Sequence, residues 1–126
     1  AVKQANNDNL AAVDGLQIYA GNDEILARVL DMGEPGGILT SSHIVGPEMR
    51  RMVDEPAERA AIHESLLPVF EAMGVAPAAV TNKAALNLLG HRVGKPRLPY
   101  VEADEHELET IREMLARRGM VGATAR

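Results

Sequence analysis

Hydrophobic positions near the start of the chain come in short clusters broken by polar and glycine-rich turns, whereas those beyond Gly46 fall into longer stretches with helical spacing. Residues 1–5 (Ala-Val-Lys-Gln-Ala) alternate loosely and predict a short strand with Lys3 at its centre. Asn6-Asn7-Asp8-Asn9 is a turn cluster in which Asn7, Asp8 or Asn9 can cap a helix. Residues 10–13 then read as about one helical turn, ended near Gly15. Residues 16–20 form a second strand, with Ile18 and Tyr19 as its β-formers, and Gly21 stops it. Asn22 or Asp23 caps the next helix, whose apolar positions Ile25, Leu26, Val29, Leu30 and Met32 share one face. Ile38-Leu39-Thr40-Ser41 predicts a third, buried strand, and Gly46-Pro47-Glu48 opens a helix with proline near its first position.

From there the pattern is helical. Residues 56–73 carry Ile62, Leu66, Leu67, Val69, Phe70 and Met73 on one side, with Pro68 expected to kink or break the run. Residues 78–89 make a helix closed by Gly90, and residues 91–100, with Pro96 and Pro99, make an extended connector. Residues 104–118 form a last helix, acidic early and basic late as the helix dipole favours. Residues 119–126 read as a frayed tail of small residues. Strand–helix units followed by helices indicate an α/β fold with a parallel sheet, and three strands alone leave two open edges.

Composition narrows the picture. Apolar residues at 46% and charged residues at 25% of 126 are globular values. A net charge of −5 argues weakly against a nucleic-acid surface, and no apolar run approaches the roughly 18 residues of a membrane span. Cysteine is absent, which removes disulfides and thiolate metal sites. Tyr19, Phe70 and Tyr100 are the only aromatic residues, so the core must be aliphatic. The chain opens on Ala-Val-Lys without an initiator Met, as though inside a strand, and the expectation is a piece of a longer protein.

Three segments carry candidate chemistry. Lys3 lies in a strand expected to be buried; burial disfavours the ammonium form, and a neutral amine attacks ketones to form a Schiff base. The plainer reading is a lysine that snorkels from a strand end. Gly21-Asn22-Asp23-Glu24 follows the second strand and fits either close backbone approach to a ligand or a simple helix cap. Gly36-Gly37 and the hydroxyls of Thr40, Ser41 and Ser42 flank the third strand, as a site or as an ordinary loop. His43, His63, His91 and His106 have no metal-ligand spacing, and the acids at 102–107 read as a solvated helix start. The three segments share one geometry, the carboxyl ends of consecutive strands, where a (β/α)8 barrel keeps its active site.

Val2-Lys3-Gln4-Ala5-Asn6 resembles the lysine strand of the dihydrodipicolinate synthase / N-acetylneuraminate lyase family of class I aldolases. Tyr19 to Glu24 resembles that family's next strand and its Gly-x-Asp turn, and Gly36-Gly37-Ile38 through Ser42 its eighth strand. Asn82-Lys83 through Gly90, then Arg97-Leu98-Pro99, resembles the helical C-terminal region of its synthases, whereas Gly21-x-Asp23-Glu24 and Gly36-Gly37-Ile38 also resemble its sugar-acid lyases. The resemblance implies the last three β/α units of a (β/α)8 (TIM) barrel at 1–54, strands six to eight, and C-terminal helices completing and extending it at 55–126. It implies Lys3 as the catalytic Schiff-base lysine on the sixth strand, Gly21 and Ile38 beside bound pyruvate through their backbones, and Asn22, Asp23 and Thr40 facing the second substrate. It further implies pyruvate and an aldehyde, aspartate semialdehyde in the synthases of lysine and diaminopimelate biosynthesis, as substrates. No cofactor or metal is implied, the covalent Schiff base serving instead, and no nucleic-acid or membrane partner. A cytoplasmic homo-oligomer, dimer or tetramer, is implied as well.

The family's Gly-Thr-Thr-Gly-Glu loop, its proton-relay tyrosine in a Tyr-Asn-x-Pro segment and its carboxylate-binding arginine belong to an N-terminal half-barrel and are absent from these residues. Two expectations follow: the C-terminal half of a pyruvate-dependent aldolase, inactive without its other half, or a non-catalytic half-barrel that binds or dimerises.

Overall fold

The computed structural model describes residues 1–121. The elements are β1 (Val2–Gln4), β2 (Ile18–Ala20), a 3-10 turn (Asp23–Ile25), α1 (Leu26–Asp31), β3 (Gly36–Gly37), α2 (Ser42–Asp54), α3 (Arg59–Met73), α4 (Ala78–Leu88) and α5 (Glu105–Arg117). The strands form one parallel sheet in the order β1-β2-β3, with Val2, Lys3 and Gln4 opposite Ile18, Tyr19 and Ala20, and Tyr19 and Ala20 opposite Gly36 and Gly37. The chain divides into two compact units, Ala1–Leu67 and Pro68–Arg126, with the boundary inside α3.

In the first unit, α1 packs on β2 and β3. Ile18 and Ala20 point to that side and are fully buried, with Leu26, Val29, Val45 and Met52 completing the aliphatic core. Strand side chains alternate, so Lys3 and Tyr19 share the opposite face. In the second unit α4 packs against α5, and Val80, Ala85, Ile111 and Leu115 are buried. Lys83 staples the connector that follows α4: its ammonium donates to the carbonyls of Val93 and Lys95, both at 3.0 Å. The start of α5 is closed by a capping box, in which Asp104 accepts from the Glu107 amide at 2.8 Å and Glu107 accepts from the Asp104 amide at 2.9 Å.

Several expectations change. Residues 10–13 are not helical. Gln4 and Asn6 accept from the amides of Asn6 and Asp8 through their side chains, local bonds that compete with a helix. Val13 and Leu16 then bridge antiparallel across Asp14-Gly15, a tight-turn dipeptide. The third strand is Gly36–Gly37, two residues earlier than expected, and Ile38 is exposed (56%), not buried. Its amide still donates to Ala20 at 2.9 Å, after which the chain leaves the sheet. Helix α2 begins before Gly46, with a break at Val45 (φ −121°, ψ 38°), so Pro47 falls in the first turn of the second segment, where its missing N–H costs nothing. Helix α3 spans Arg59–Met73 with Pro68 inside it, and Leu66, Val69 and Phe70 are buried. Of the tail expected at 119–126, residues 122–126 lie outside the described residues.

Candidate active site at the strand ends

Lys3 sits at the middle of β1, directly opposite Tyr19 on β2, which is itself opposite Gly36 on β3. The row Lys3–Tyr19–Gly36 crosses the sheet on the face away from Ile18 and Ala20. Parallel sheets are ordinarily covered on both faces; here one face holds the core and the other carries an amine. Lys3 is exposed, which corrects the expectation that its strand is buried. Tyr19, half-buried beside it, was not singled out from the sequence as a neighbour of the lysine, because only the in-register parallel pairing brings the two together. A groove of about 310 Å³ runs from Tyr19 past Gly36, Gly37 and Leu39 to Met49 and Arg50 of α2; Lys3 is not among its lining residues.

Gly21 has a structural reason to be glycine. Its amide donates to the Gln4 carbonyl at 2.7 Å, and a Cβ there would stand 2.7 Å from that oxygen and 2.8 Å from the Ala5 Cβ. Asn22 precedes the 3-10 turn but makes no side-chain cap. Its amide instead donates to the Ala5 carbonyl at 2.8 Å and to Asn7 Oδ1 at 2.9 Å. Asn7 donates onward to Glu24 Oε1 at 2.7 Å. Asp23 turns to the start of α2, where Oδ2 accepts from the Ser41 hydroxyl at 2.8 Å and Oδ1 from the Ser41 amide at 3.3 Å. Burial pushes the Asp23 carboxyl above its ordinary range; the Ser41 bonds oppose this and the neighbouring Glu24 charge adds to it. Thr40 is exposed one residue ahead of Ser41.

The structure places Gly21, Asn22 and Asp23 directly after β2 and Ile38 and Thr40 after β3, with Lys3 at the centre of β1. Asn22 and Asp23 are engaged within the protein, while Lys3, Ile38 and Thr40 are open to solvent. Asn7, Glu24 and Ser41 are the partners that sequence reading had not joined to them; an Asn-rich turn one strand away from a Gly-Asn-Asp turn was the available signal. Among the described residues no group of three His, Asp or Glu could hold a metal ion, and no helix is long and apolar enough to cross a membrane. An amine on an open sheet face can attack a carbonyl presented from that side, provided other groups orient the carbonyl and move protons.

A family model described as the dihydrodipicolinate synthetase family matches residues 1–118. The 4-hydroxy-tetrahydrodipicolinate synthase of Symbiobacterium thermophilum is 40% identical over 115 residues, covering 87% of this chain and 39% of the relative. That of Thermosynechococcus vestitus is 32% identical over 126 residues, covering 96% of this chain and 43% of the relative. Among solved structures, the lysine-bound dihydrodipicolinate synthase of Cyanidioschyzon merolae superimposes with a TM-score of 0.78 at 32% identity, over 83% of this chain and 37% of that one. The chain thus spans about two fifths of the length of its curated relatives, and its α/β fold matches part of their TIM barrel. On these grounds it belongs to the dihydrodipicolinate synthetase family.

Proposed function

We propose that this chain supplies the lysine-bearing part of a class I aldolase that condenses pyruvate with aspartate semialdehyde. The observation that carries this reading is Lys3, an amine at the centre of a strand and beside Tyr19 on the open face of the sheet, in a chain that matches the family from its first residue. The Lys3 Nζ attacks the keto carbon of pyruvate, and water leaves as the imine forms. The imine draws electrons from the adjacent methyl group, which loses a proton to give an enamine. The enamine carbon then bonds to the aldehyde carbon, whose oxygen takes up a proton. Ring closure or hydrolysis breaks the C–N bond and returns the free amine. No cofactor is required, since the protonated imine is the electron sink.

In this reading β1, β2 and β3 are strands six to eight of a barrel whose remaining strands cover the open face. The backbones of Gly21 and Ile38 flank pyruvate and Thr40 faces the aldehyde. Covering the face would also desolvate Lys3 and supply the groups that hold pyruvate's carboxylate and relay protons. The whole protein is proposed to be a cytoplasmic homo-oligomer, as the family resemblance implies.

A steady-state assay with pyruvate and a panel of aldehydes tests the reading. In the whole protein, aspartate semialdehyde is expected to give the highest kcat/KM, above sugar-acid aldehydes. The 126-residue chain alone is expected to show no turnover, because loss of the acid–base and orientation groups removes several orders of magnitude in rate. A preference for a sugar-acid aldehyde, or turnover by the chain alone, would contradict it.

A further inference from the structure

Hydrogen-bond direction fixes what Asn22 does. The Ala5 carbonyl can only accept, so the side of the Asn22 amide facing it at 2.8 Å must be the NH2 group. The second N–H of that group goes to Asn7 Oδ1 at 2.9 Å. Asn7 therefore turns its own NH2 to Glu24, whose carboxylate accepts at 2.7 Å. The polarity of the whole chain of bonds, from Glu24 through Asn7 and Asn22 to Ala5, is set by its two acceptor ends, and both Asn22 N–H bonds are engaged. One residue earlier, the Gly21 amide holds the Gln4 carbonyl at 2.7 Å. Two successive carbonyls directly after Lys3 are thereby tied to the turn that follows β2.

That tie matters because β1 is only Val2–Gln4, so Lys3 stands directly before the two tied carbonyls. The ties at Gln4 and Ala5 help set the height of Lys3 along the strand axis from its carboxyl side. We propose that Asn22, with Asn7 behind it, is a positioning residue for Lys3 and not a contact to the aldehyde. This rests on the reading of Lys3 as the imine-forming amine. It deepens that reading by assigning Asn22 to the first half of the reaction, which needs pyruvate alone.

The two half-reactions separate the possibilities. In the whole protein, borohydride trapping of pyruvate on Lys3 is followed in time without aldehyde for the parent, Asn22→Asp, Asn7→Ala and Lys3→Ala. Asn22→Asp keeps the shape but sets acceptor against acceptor at Ala5 and Asn7. It is expected to slow trapping about tenfold, in line with the cost of sub-ångström misplacement of a reacting group. Asn7→Ala, in a half-buried turn, is expected to slow it by a smaller factor and carries the test if Asn22→Asp does not fold. With both substrates, kcat/KM for pyruvate is expected to fall in each asparagine variant while kcat/KM for the aldehyde stays within about twofold of the parent, since the slowed step precedes the aldehyde. Trapping at the parent rate with a lowered kcat/KM for the aldehyde would overturn the proposal and make Asn22 a substrate contact. Absence of trapping in the parent, or trapping that survives in Lys3→Ala, is a different result: it removes the imine reading itself and the positioning role with it.

Discussion

Gly21 and Asp23 show how two residues that suggest ligand chemistry also hold the fold. Gly21 lets the turn after β2 pass against the end of β1 so closely that a methyl group would overlap the Gln4 oxygen and the Ala5 side chain. Neither obstacle is the far end of a flexible side chain, so Gly21→Ala is expected to destabilise the chain by about 1–3 kcal/mol, the usual cost of overpacking; the shift of the denaturant midpoint measures it. Asp23 is expected to leave a mark on the pH profile. Burial raises its carboxyl above the ordinary value of 3.8, so in the unfolded chain the proton is lost first as the pH rises. Over that interval the folded state binds more protons, and its stability falls until the pH passes the raised folded value. Unfolding free energies of the parent and Asp23→Asn at successive pH values between about 3.5 and 7 check this. The parent is expected to lose ground to the variant as the pH rises through the lower part of that range, then to hold a constant difference. A difference independent of pH would contradict it.

At the scale of elements, what was legible in the sequence tracks how local the determinants are. Helix α5 reads from its own residues, since Asp104 and Glu107 form the capping box that starts it and Arg117 stands in its last turn. Asp104→Ala is expected to cost about 1 kcal/mol, with the loss concentrated as faster amide exchange at Glu107, whose N–H the cap satisfies. Helix α4 and the connector behind it are equally legible from Gly90, Pro96 and Pro99. Residues 10–13 and the third strand were misread for a common reason. Short segments near a sheet are set by pairing, and pairing is not written in a propensity: the bonds of Gln4 and Asn6 to their neighbours displace a helix, and the contact of Ala20 with Gly37 moves β3 ahead of Ile38. The same limit hid the neighbourhood of Lys3 and Tyr19, which are 16 positions apart and adjacent only through parallel register.

For the whole molecule, the sheet has one face carrying an aliphatic core and one face carrying Lys3 and Tyr19, in a chain that spans about two fifths of its curated relatives. Candidate groups at the strand ends were legible because Lys3, Gly21 and Asp23 sit in short motifs; their division into an open amine and internally bonded carboxamide and carboxylate was not, because it depends on partners from other strands. The central claim is that Lys3 forms the imine with pyruvate. Its most direct test is borohydride reduction of the whole protein in the presence of pyruvate, followed by peptide mass mapping. The account predicts a reduced pyruvate adduct on the peptide containing Lys3, and no adduct in Lys3→Ala; an adduct on another residue, or one that persists in that variant, would contradict it.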